Sequence, residues 1–505
     1  MAGGGASRAL RPRTKPRAGP PGYREAVTPL LALAPLLLVL ALLASGRASA
    51  LAAGLAGLAA TLLVALPRSA DPLTLLQREL PAGLWLAWIV IAIVVSGVLF
   101  HRAIQARGVT PASASAPAVV PVDARALWPV CFLLAPFAES VTGFGVGYII
   151  ALAALQRLGV AGLPALLLGL YSQSLVPWGA LAVGTTVGAA FAGLPVAELG
   201  LRSAALQAPI HALYLLFYWR LAAAGGIAVS ARQKLDDGLW TVALLAGVAA
   251  ANRWGDAEIG AAAPTALLLA LRFWRDRRPD LALVRATLAS HAPYVLLTLV
   301  LCALRLVPPL RDLVKPLGAL KPFADLPAFA PFHAPGFWLL TIGLATAVTA
   351  RQPLARLLRE TAAGAWRAVA VTLAFVLMAQ LYVGAGLAQS LADAAVAAVG
   401  RAAALGVPAF AAMGGFLTGS GASSNAMLIP MEMAIARASG LDAGWIAAVQ
   451  NAVTANLTML SPIRVSMGAA ILALAGAERA IYRRAWPLAL PPLLVGLGMV
   501  ALLLA

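Results

Sequence analysis

Apolar runs of about 20 residues recur along almost the whole chain. A run of that length crosses the roughly 30 Å hydrocarbon core of a bilayer as a helix. Of the 505 residues, 61% are hydrophobic and 11% are charged, which is more apolar surface than a water-soluble core can bury. The sequence therefore predicts an all-α polytopic membrane protein with about twelve to fourteen transmembrane spans.

The charged residues lie mainly at the ends of the apolar runs, and they give a formal net charge of +18. In a soluble protein this balance would indicate a nucleic-acid partner. Here the basic residues flank apolar segments, as in the loops at 272–278, 351–359 and 479–484. This pattern is typical of cytoplasmic loops that contact anionic lipid headgroups. We therefore expect membrane lipid, and no nucleic acid, among the partners.

The N-terminal tail, residues 1–26, carries six basic residues and a single acid, Glu25. By the positive-inside rule, this tail is expected in the cytoplasm. The apolar run that follows it leads straight into further runs, which favours an uncleaved first helix over a removed signal peptide.

Loops rich in proline, alanine, serine or basic residues divide the chain into seven regions. These are the cytoplasmic basic tail (1–26), N-terminal spans with a flexible loop (27–126), a first transport repeat core (127–220), middle spans with basic loops and a Pro-rich connector (221–335), spans leading into the second repeat (336–409), a second transport repeat core (410–477) and a C-terminal span (478–505).

The two repeat cores contain the same motifs in the same order. Thr-Gly-Phe-Gly at 142–145 precedes a polar cluster at 172–174, and Thr-Gly-Ser-Gly at 418–421 precedes Gln450 and Asn451. The polar residues begin 30 and 32 residues after the respective threonines. Such duplication predicts two related repeats of inverted topology, each with a broken or re-entrant hairpin-like segment.

Helix breaks at membrane depth are tolerated where they are buried in protein or line a polar cavity, and half-helix N-termini there offer N–H groups to an anion. We therefore expect a site for a small hydroxylated anion at the breaks. An alternative is that the small residues only allow close helix packing. The candidate substrate-binding residues are Thr142, Gly143, Gly145, Ser172, Gln173, Thr418, Gly419, Ser420, Ser423, Ser424, Asn425, Gln450, Asn451, Asn456 and Arg464.

Two charged residues, Glu139 and Arg464, lie inside apolar segments. A charge at the centre of a membrane helix costs about 2.5 to 3.5 kcal/mol on insertion scales, so a charged residue there indicates a functional role. We expect Glu139 to carry a coupled proton and Arg464 to pair with a substrate carboxylate; the alternative places both at an interface. Glu198, Glu432 and Asp442 are expected at the interface.

No cofactor or metal site is predicted, and the two cysteines, Cys131 and Cys302, are far apart in apolar surroundings. An intramembrane serine hydrolase is a competing interpretation, with Ser423 as nucleophile and His211 as base. A channel is another. Accumulation of substrate against a gradient would exclude both.

At four places the chain resembles the L-lactate permease family, whose members are bacterial secondary transporters that take up lactate, and in some cases glycolate, with protons. Residues 137–145 read F-A-E-S-V-T-G-F-G, 178–181 read W-G-A-L, 415–425 read G-F-L-T-G-S-G-A-S-S-N and 459–462 read M-L-S-P. These are close to the family patterns F-L-E-G-x-x-G-F-G, F-G-A-L, G-V-F-I-T-G-S-x-x-S-S-N and M-I-S-P. The likeness spans nearly the whole chain.

The chain departs from the family pattern in the expected site. Gly147 stands where the family has proline, residues 172–174 lack its asparagine, and Thr458 replaces its lysine. Arg464 follows M-L-S-P two residues on, so a basic group is moved rather than lost.

The resemblance implies a secondary active transporter of a short monocarboxylate, L-lactate or glycolate, by proton symport across the bacterial inner membrane, and not an enzyme. A different organic anion, with H⁺ or Na⁺ coupling, is the alternative. The oligomeric state, including a homo-oligomer, is open.

Overall fold

The computed structural model of the protein describes residues 29–107, 124–143 and 145–505. Residues 1–28, 108–123 and Phe144 lie outside the described residues, and with them the basic tail (1–26) and the loop that the sequence predicts before residue 124. Within the described part the chain is helical, and its only β-pairing is a bridge between Leu320 and Phe329. The predicted all-α fold is confirmed.

The helices before and within the first repeat, in chain order, are α1 (Pro29–Ala44), α2 (Ala50–Ala65), α3 (Pro72–Gln105), α4 (Ala124–Pro129), α5 (Ala135–Thr142), α6 (Val146–Arg157), α7 (Gly162–Leu170), α8 (Gly179–Ala192) and α9 (Val196–Ala224). The middle helices are α10 (Ala231–Trp254), α11 (Ala262–Arg277), α12 (Leu281–Leu306), α13 (Pro308–Val314), α14 (Pro335–Thr349) and α15 (Leu354–Gly384). The remaining helices are α16 (Leu387–Val399), α17 (Val407–Thr418), α18 (Gly421–Ala438), α19 (Ala443–Leu457), α20 (Pro462–Ile471), α21 (Glu478–Ala485) and α22 (Leu490–Leu504).

In the described ranges, eight helical segments are long and apolar enough to cross a membrane, or nine when α7 and α8, bent by 54° at their break, count as one span. The sequence suggested twelve to fourteen spans. The difference arises because some apolar helices are short, such as α14 and, after the break at 143–145, α6, and because polar residues lower the hydropathy of others, such as α18.

Contacts between helix ends define two opposite faces of the molecule. At one, which we call the connector face, Trp85 in the first half of α3 donates to the carbonyl of Pro327 in the connector, and Arg305 at the end of α12 donates to the carbonyl of His333. At the other, the basic face, Gln352 before α15 donates to the carbonyl of Ala103 at the end of α3. Tyr382, at the far end of α15, donates to the carbonyl of Ala32. The chain therefore enters α1 at the connector face.

Each repeat begins with a hairpin that enters and leaves at the same face. In the first, Gly147 of α6 packs against Ala135 and Glu139 of α5, so α6 runs back along α5 towards the basic face, where Arg272 binds the carbonyl of Arg125. In the second, Gly414 of α17 packs against Ser424 and Leu428 of α18.

The second hairpin leads to Asp442, which contacts Arg202 near the start of α9 at the connector face. The two hairpins therefore enter from opposite faces. The broken segment α7–α8 follows the first hairpin and the broken segment α19–α20 follows the second, and these two segments run in opposite directions. This arrangement is an inverted repeat, as the sequence predicted.

Candidate functional site

The two Thr-Gly-x-Gly segments both interrupt helices at their glycines. Helix α5 ends at Thr142, and Gly143 has φ +71° and ψ −162°, a conformation that a side chain would strain. Helix α17 ends at Thr418, and Gly419 has φ +61° and ψ 17°. The predicted breaks at these glycines are confirmed.

The second helix of each broken segment starts differently. Ser461 caps α20, and its hydroxyl accepts the N–H of Arg464 at 3.4 Å. Helix α8 instead starts with three consecutive residues, Ala180, Leu181 and Ala182, at φ between +49° and +63°. Left-handed backbone costs non-glycine residues on the order of 1 kcal/mol each, and such strain concentrates at functional sites. Ala180 faces Gly143, where an added Cβ would lie 2.6 Å from the Ala180 Cβ.

A cavity of about 600 Å³ lies where these breaks meet. It is lined from the first repeat by Glu139, Gly143, Val176, Gly179, Ala180, Val183 and Gly184, and from the second by Thr418, Gly419, Ser420, Gly421, Ala422, Ser423, Ile463 and Arg464. Its volume is in the range of small-molecule sites, roughly 300 to 1,000 Å³. The two repeats thus build one shared cavity.

Glu139 and Arg464 meet in this cavity. Arg464 Nη2 lies 3.4 Å from Glu139 Oε1, and both side chains are about nine-tenths buried or more. The Glu139 carboxylate also accepts N–H groups from Gly145 at 3.1 Å and Gly147 at 3.0 Å. One cation and two backbone N–H donors therefore surround this buried carboxyl group and offset the cost of burying it.

The hydroxyl groups at the second break differ in their availability. Ser420 caps α18 by accepting the N–H of Ser423 at 3.3 Å, and Thr418 donates to the carbonyl of Gly414 at 2.7 Å. Within the described part of the chain, no hydrogen bond of the Ser423 hydroxyl is found, and this side chain lines the cavity at the N-terminus of α18. Ser423 and the N-terminal dipole of α18 are therefore available to an anion.

Several predicted binding residues lie outside the cavity and join the repeats instead. Asn425 donates to the carbonyl of Gly184 at 2.9 Å, and Asn451 donates to Thr185 at 3.0 Å and to Ser203 at 2.9 Å. Further along α19, Asn456 donates to Gln207 of α9 at 2.8 Å. These bonds hold the second repeat against the first.

The remaining predicted residues are buried next to the cavity. Thr142 donates to the carbonyl of Ala138 at 2.6 Å, and Gln173 donates to Ser172 at 3.1 Å. Gly145 lies against the guanidinium of Arg464, since an added Cβ would lie 1.9 Å from its Nη1 atom. Ser424 shares a hydrogen bond of 2.7 Å with Thr454.

The interfacial expectation for Glu432 is wrong, because this side chain is 0% exposed. In one orientation of the Gln450 amide, both its nitrogen and its oxygen have hydrogen-bond partners, and the nitrogen donates to both Glu432 oxygens, at 2.9 and 3.3 Å. Its oxygen then accepts from Ser424 and Thr454. The sequence places Glu432 near a loop, and burial against α19 could not be read from it. Glu198 and Asp442 are partly exposed and both pair with Arg202, as at an interface.

Sequence reasoning missed one wall of the cavity, formed by the start of α2 and the middle of α15. Its lining includes Ser49, Trp366, Arg367 and Thr372. Arg367 is exposed and stacks its guanidinium 5.4 Å from the Trp366 ring. Arg367 lies in the middle of α15, and nothing in the sequence distinguished it from the other arginines of this helix.

A model of the L-lactate permease family matches residues 28–252 and 322–505. The matched ranges include both repeats and leave out residues 253–321, which hold α11 to α13. A comparison with curated proteins found no match.

Proposed function

The chain belongs to the L-lactate permease family, and from this premise we propose that it is a secondary active transporter that moves a short monocarboxylate, L-lactate or glycolate, together with a proton. As a family member it is a multi-pass membrane protein of lactate transport that takes a small organic anion as substrate. The coupled proton, the particular acid and a non-enzymatic role are parts of the proposal.

The Arg464–Glu139 pair is the observation that supports proton symport. An incoming carboxylate competes with Glu139 for the Arg464 guanidinium, whose planar fork fits either carboxylate in two hydrogen bonds. Once the substrate holds Arg464, Glu139 is an anion beside a second anion in a low-dielectric site. Proton uptake by Glu139 removes this repulsion, so one proton accompanies one substrate anion.

The remaining candidate residues have two roles in this proposal. Ser423 and the N-terminus of α18 hydrogen-bond the substrate hydroxyl or carboxylate, with Gly143, Thr418, Gly419 and Ser420 shaping the cavity. The buried residues around them keep the two repeats in register: Thr142, Gly145, Ser172, Gln173, Ser424, Asn425, Gln450, Asn451 and Asn456. Arg367, which lines the cavity, attracts anions to it.

We further propose that the protein lies in the bacterial inner membrane with its basic face in the cytoplasm. Arg275, Arg277, Arg351 and Arg359 lie at helix ends on that face, which favours this orientation by the positive-inside rule. The tail was expected in the cytoplasm for the same reason. Because α1 begins at the connector face, the two expectations are in conflict.

The test is uptake of radiolabelled acids into proteoliposomes that contain the purified protein. We expect an inward proton gradient to drive L-lactate or glycolate above its external concentration, and a protonophore to abolish this. Accumulation that follows a sodium gradient instead would reject proton coupling, and equilibration without accumulation would indicate a channel.

The cavity is larger than a three-carbon acid needs, and the site departs from the family at residues 172–174 and 458. Longer monocarboxylates and dicarboxylates therefore belong in the same uptake panel. Accumulation of one of these, with no uptake of lactate or glycolate, would establish a different organic anion as the substrate.

A further inference from the structure

A second cavity, of about 420 Å³, lies at the basic face, away from the transport site. Its walls come from the start of α7, the last turns of α9, and α21 with the turn that follows it. The hydroxyl of Tyr214 donates to the carbonyl of Leu488 at 3.3 Å, which holds that turn against α9. The cavity therefore lies between the first repeat and the segment that follows the second.

Three arginines line this cavity: Arg220, Arg483 and Arg484. No carboxylate is among its described lining residues, and none of the three makes an ion pair with any residue that the structure describes. The Arg220 guanidinium lies 6.0 Å from the Phe217 ring, which holds it at the cavity wall. The acid on α21, Glu478, instead accepts the N–H of Gly476 at 3.3 Å.

Three arginines outside the cavity at the same face do have carboxylate partners. Arg272 and Arg275 both bind Asp236, and Arg356 binds Glu360 at 2.7 Å. Three unpaired guanidinium groups around one cavity repel each other unless an anion enters. A phosphate group suits them, because a guanidinium binds it through two parallel hydrogen bonds.

The rest of the cavity wall is apolar. It includes Pro164, Leu167, Leu221 and Pro487, and the neighbouring Trp486 is 56% exposed. Tryptophan at this position is typical of the level of lipid headgroups. A phosphate with attached acyl chains matches this combination of basic and apolar surface better than a free phosphate, because a free phosphate has no apolar group to pack against the wall.

We propose that this cavity binds the phosphate of an anionic phospholipid, with Arg220, Arg483 and Arg484 as its ligands. Basic pockets between transmembrane helices on the cytoplasmic side bind such headgroups in other membrane proteins. The bound lipid would link α7 and α9 to α21, and so connect the first repeat to the segment that follows the second at the basic face.

The test compares the double variant Arg483→Gln/Arg484→Gln with the control Arg277→Gln/Arg359→Gln, which removes the same charge at the basic face outside the cavity. Each purified, delipidated protein is titrated with phosphatidylglycerol, cardiolipin or phosphatidylcholine, and bound lipid is counted by native mass spectrometry. We expect the control and the unsubstituted protein to bind the anionic lipids. The double variant should bind them more weakly, by a factor on the order of ten or more.

A separate titration with inorganic phosphate distinguishes the two sources of the phosphate group. Thermal stabilisation of the protein by phosphate alone, equal to that by phosphatidylglycerol, would overturn the lipid assignment. Equal anionic lipid retention in the double variant and its control would overturn the site. If the double variant does not fold, Arg220→Gln gives the same comparison from a different helix.

Discussion

Arg464 Nη2 and Glu139 Oε1 lie 3.4 Å apart, although 325 positions separate the two residues in the chain. One belongs to the broken segment of the second repeat and the other to the hairpin of the first. Their contact joins a cation and a titratable acid in the cavity that both repeats share. A substrate carboxylate that binds Arg464 therefore separates it from Glu139, and Glu139 is then free to bind a proton. This exchange of partners at one place is the basis of the coupling proposed above.

Glu139→Gln should abolish proton-driven accumulation while preserving the fold. The amide keeps the volume of the side chain and cannot exchange a proton at physiological pH. Exchange of labelled for unlabelled substrate across proteoliposomes should persist, because it needs no net proton movement. The control is Glu360→Gln, a surface glutamate paired with Arg356. Undiminished uphill uptake by the Glu139 variant would remove this residue from the mechanism.

Arg464→Ala should weaken substrate binding by about 2 to 5 kcal/mol, the usual loss when one partner of a buried charge pair is removed. Arg464→Lys should retain part of the affinity, because the charge survives and the planar fork does not. Calorimetric titration of the purified variants with the transported acid measures both values. An unchanged affinity in Arg464→Ala would leave recognition to Ser423 and the helix ends.

Gly145→Ala should disrupt the site through Arg464. The added Cβ would lie 1.9 Å from Arg464 Nη1, so the guanidinium has to move away from Glu139. Gly440→Ala is a matched control, because Gly440 also has positive φ, +66° against +84°, and an added Cβ meets nothing within 4 Å. We expect both to lose some stability from backbone strain. Only Gly145→Ala should lose transport at a temperature where both are folded, and equal transport rates would contradict the close contact.

Gln450→Leu should lower stability by about 1 to 3 kcal/mol, because it leaves the buried Glu432 carboxyl without its amide partner. The double variant Gln450→Leu/Glu432→Leu should recover most of this, since replacing both polar groups removes the unpaired one. Thermal unfolding in detergent measures the difference. If Gln450→Leu is as stable as the unsubstituted protein but does not bind substrate, Gln450 is a binding residue, as the sequence suggested.

Local signals in the sequence located the helix breaks correctly. Glycine at positive φ and proline at the first turn of a helix act through the backbone alone, so 142–145, 418–421 and 461–462 were identifiable. The sequence has three apolar runs before the first repeat, at 28–45, 48–66 and 83–100, and each predicts one span. The first two match α1 (Pro29–Ala44) and α2 (Ala50–Ala65). The third helix, Pro72–Gln105, is longer than its apolar run, because the polar ends are helical as well.

The partners of the polar side chains were not predictable. An asparagine amide in a membrane segment looks the same in sequence whether it binds substrate or, like Asn425 and Asn451, a neighbouring helix. The third wall of the cavity, with Arg367, depends on how α15 packs against the repeats. Both are consequences of long-range packing, which a single sequence with local periodicity does not contain.

The orientation in the membrane is testable at two residues on opposite faces. Lys321 lies exposed in the connector, and Arg277 lies exposed at the end of α11 on the basic face. Each is replaced by cysteine in a background where Cys131 and Cys302 are alanine. The reagent is a membrane-impermeant maleimide, applied to intact and to permeabilised cells.

Lys321→Cys should react in intact cells, and Arg277→Cys only after permeabilisation. The positive-inside rule counts basic residues near span ends over the whole chain, and the first helix does not always dominate that sum. Since Tyr382 holds the start of α1 at the connector face, the basic tail and the basic helix ends compete for the cytoplasm. The reverse labelling pattern would mean that the tail dominates and that the cytoplasmic N-terminus expected from the sequence is correct. It would also place the phospholipid cavity, with Arg483 and Arg484, in the outer leaflet.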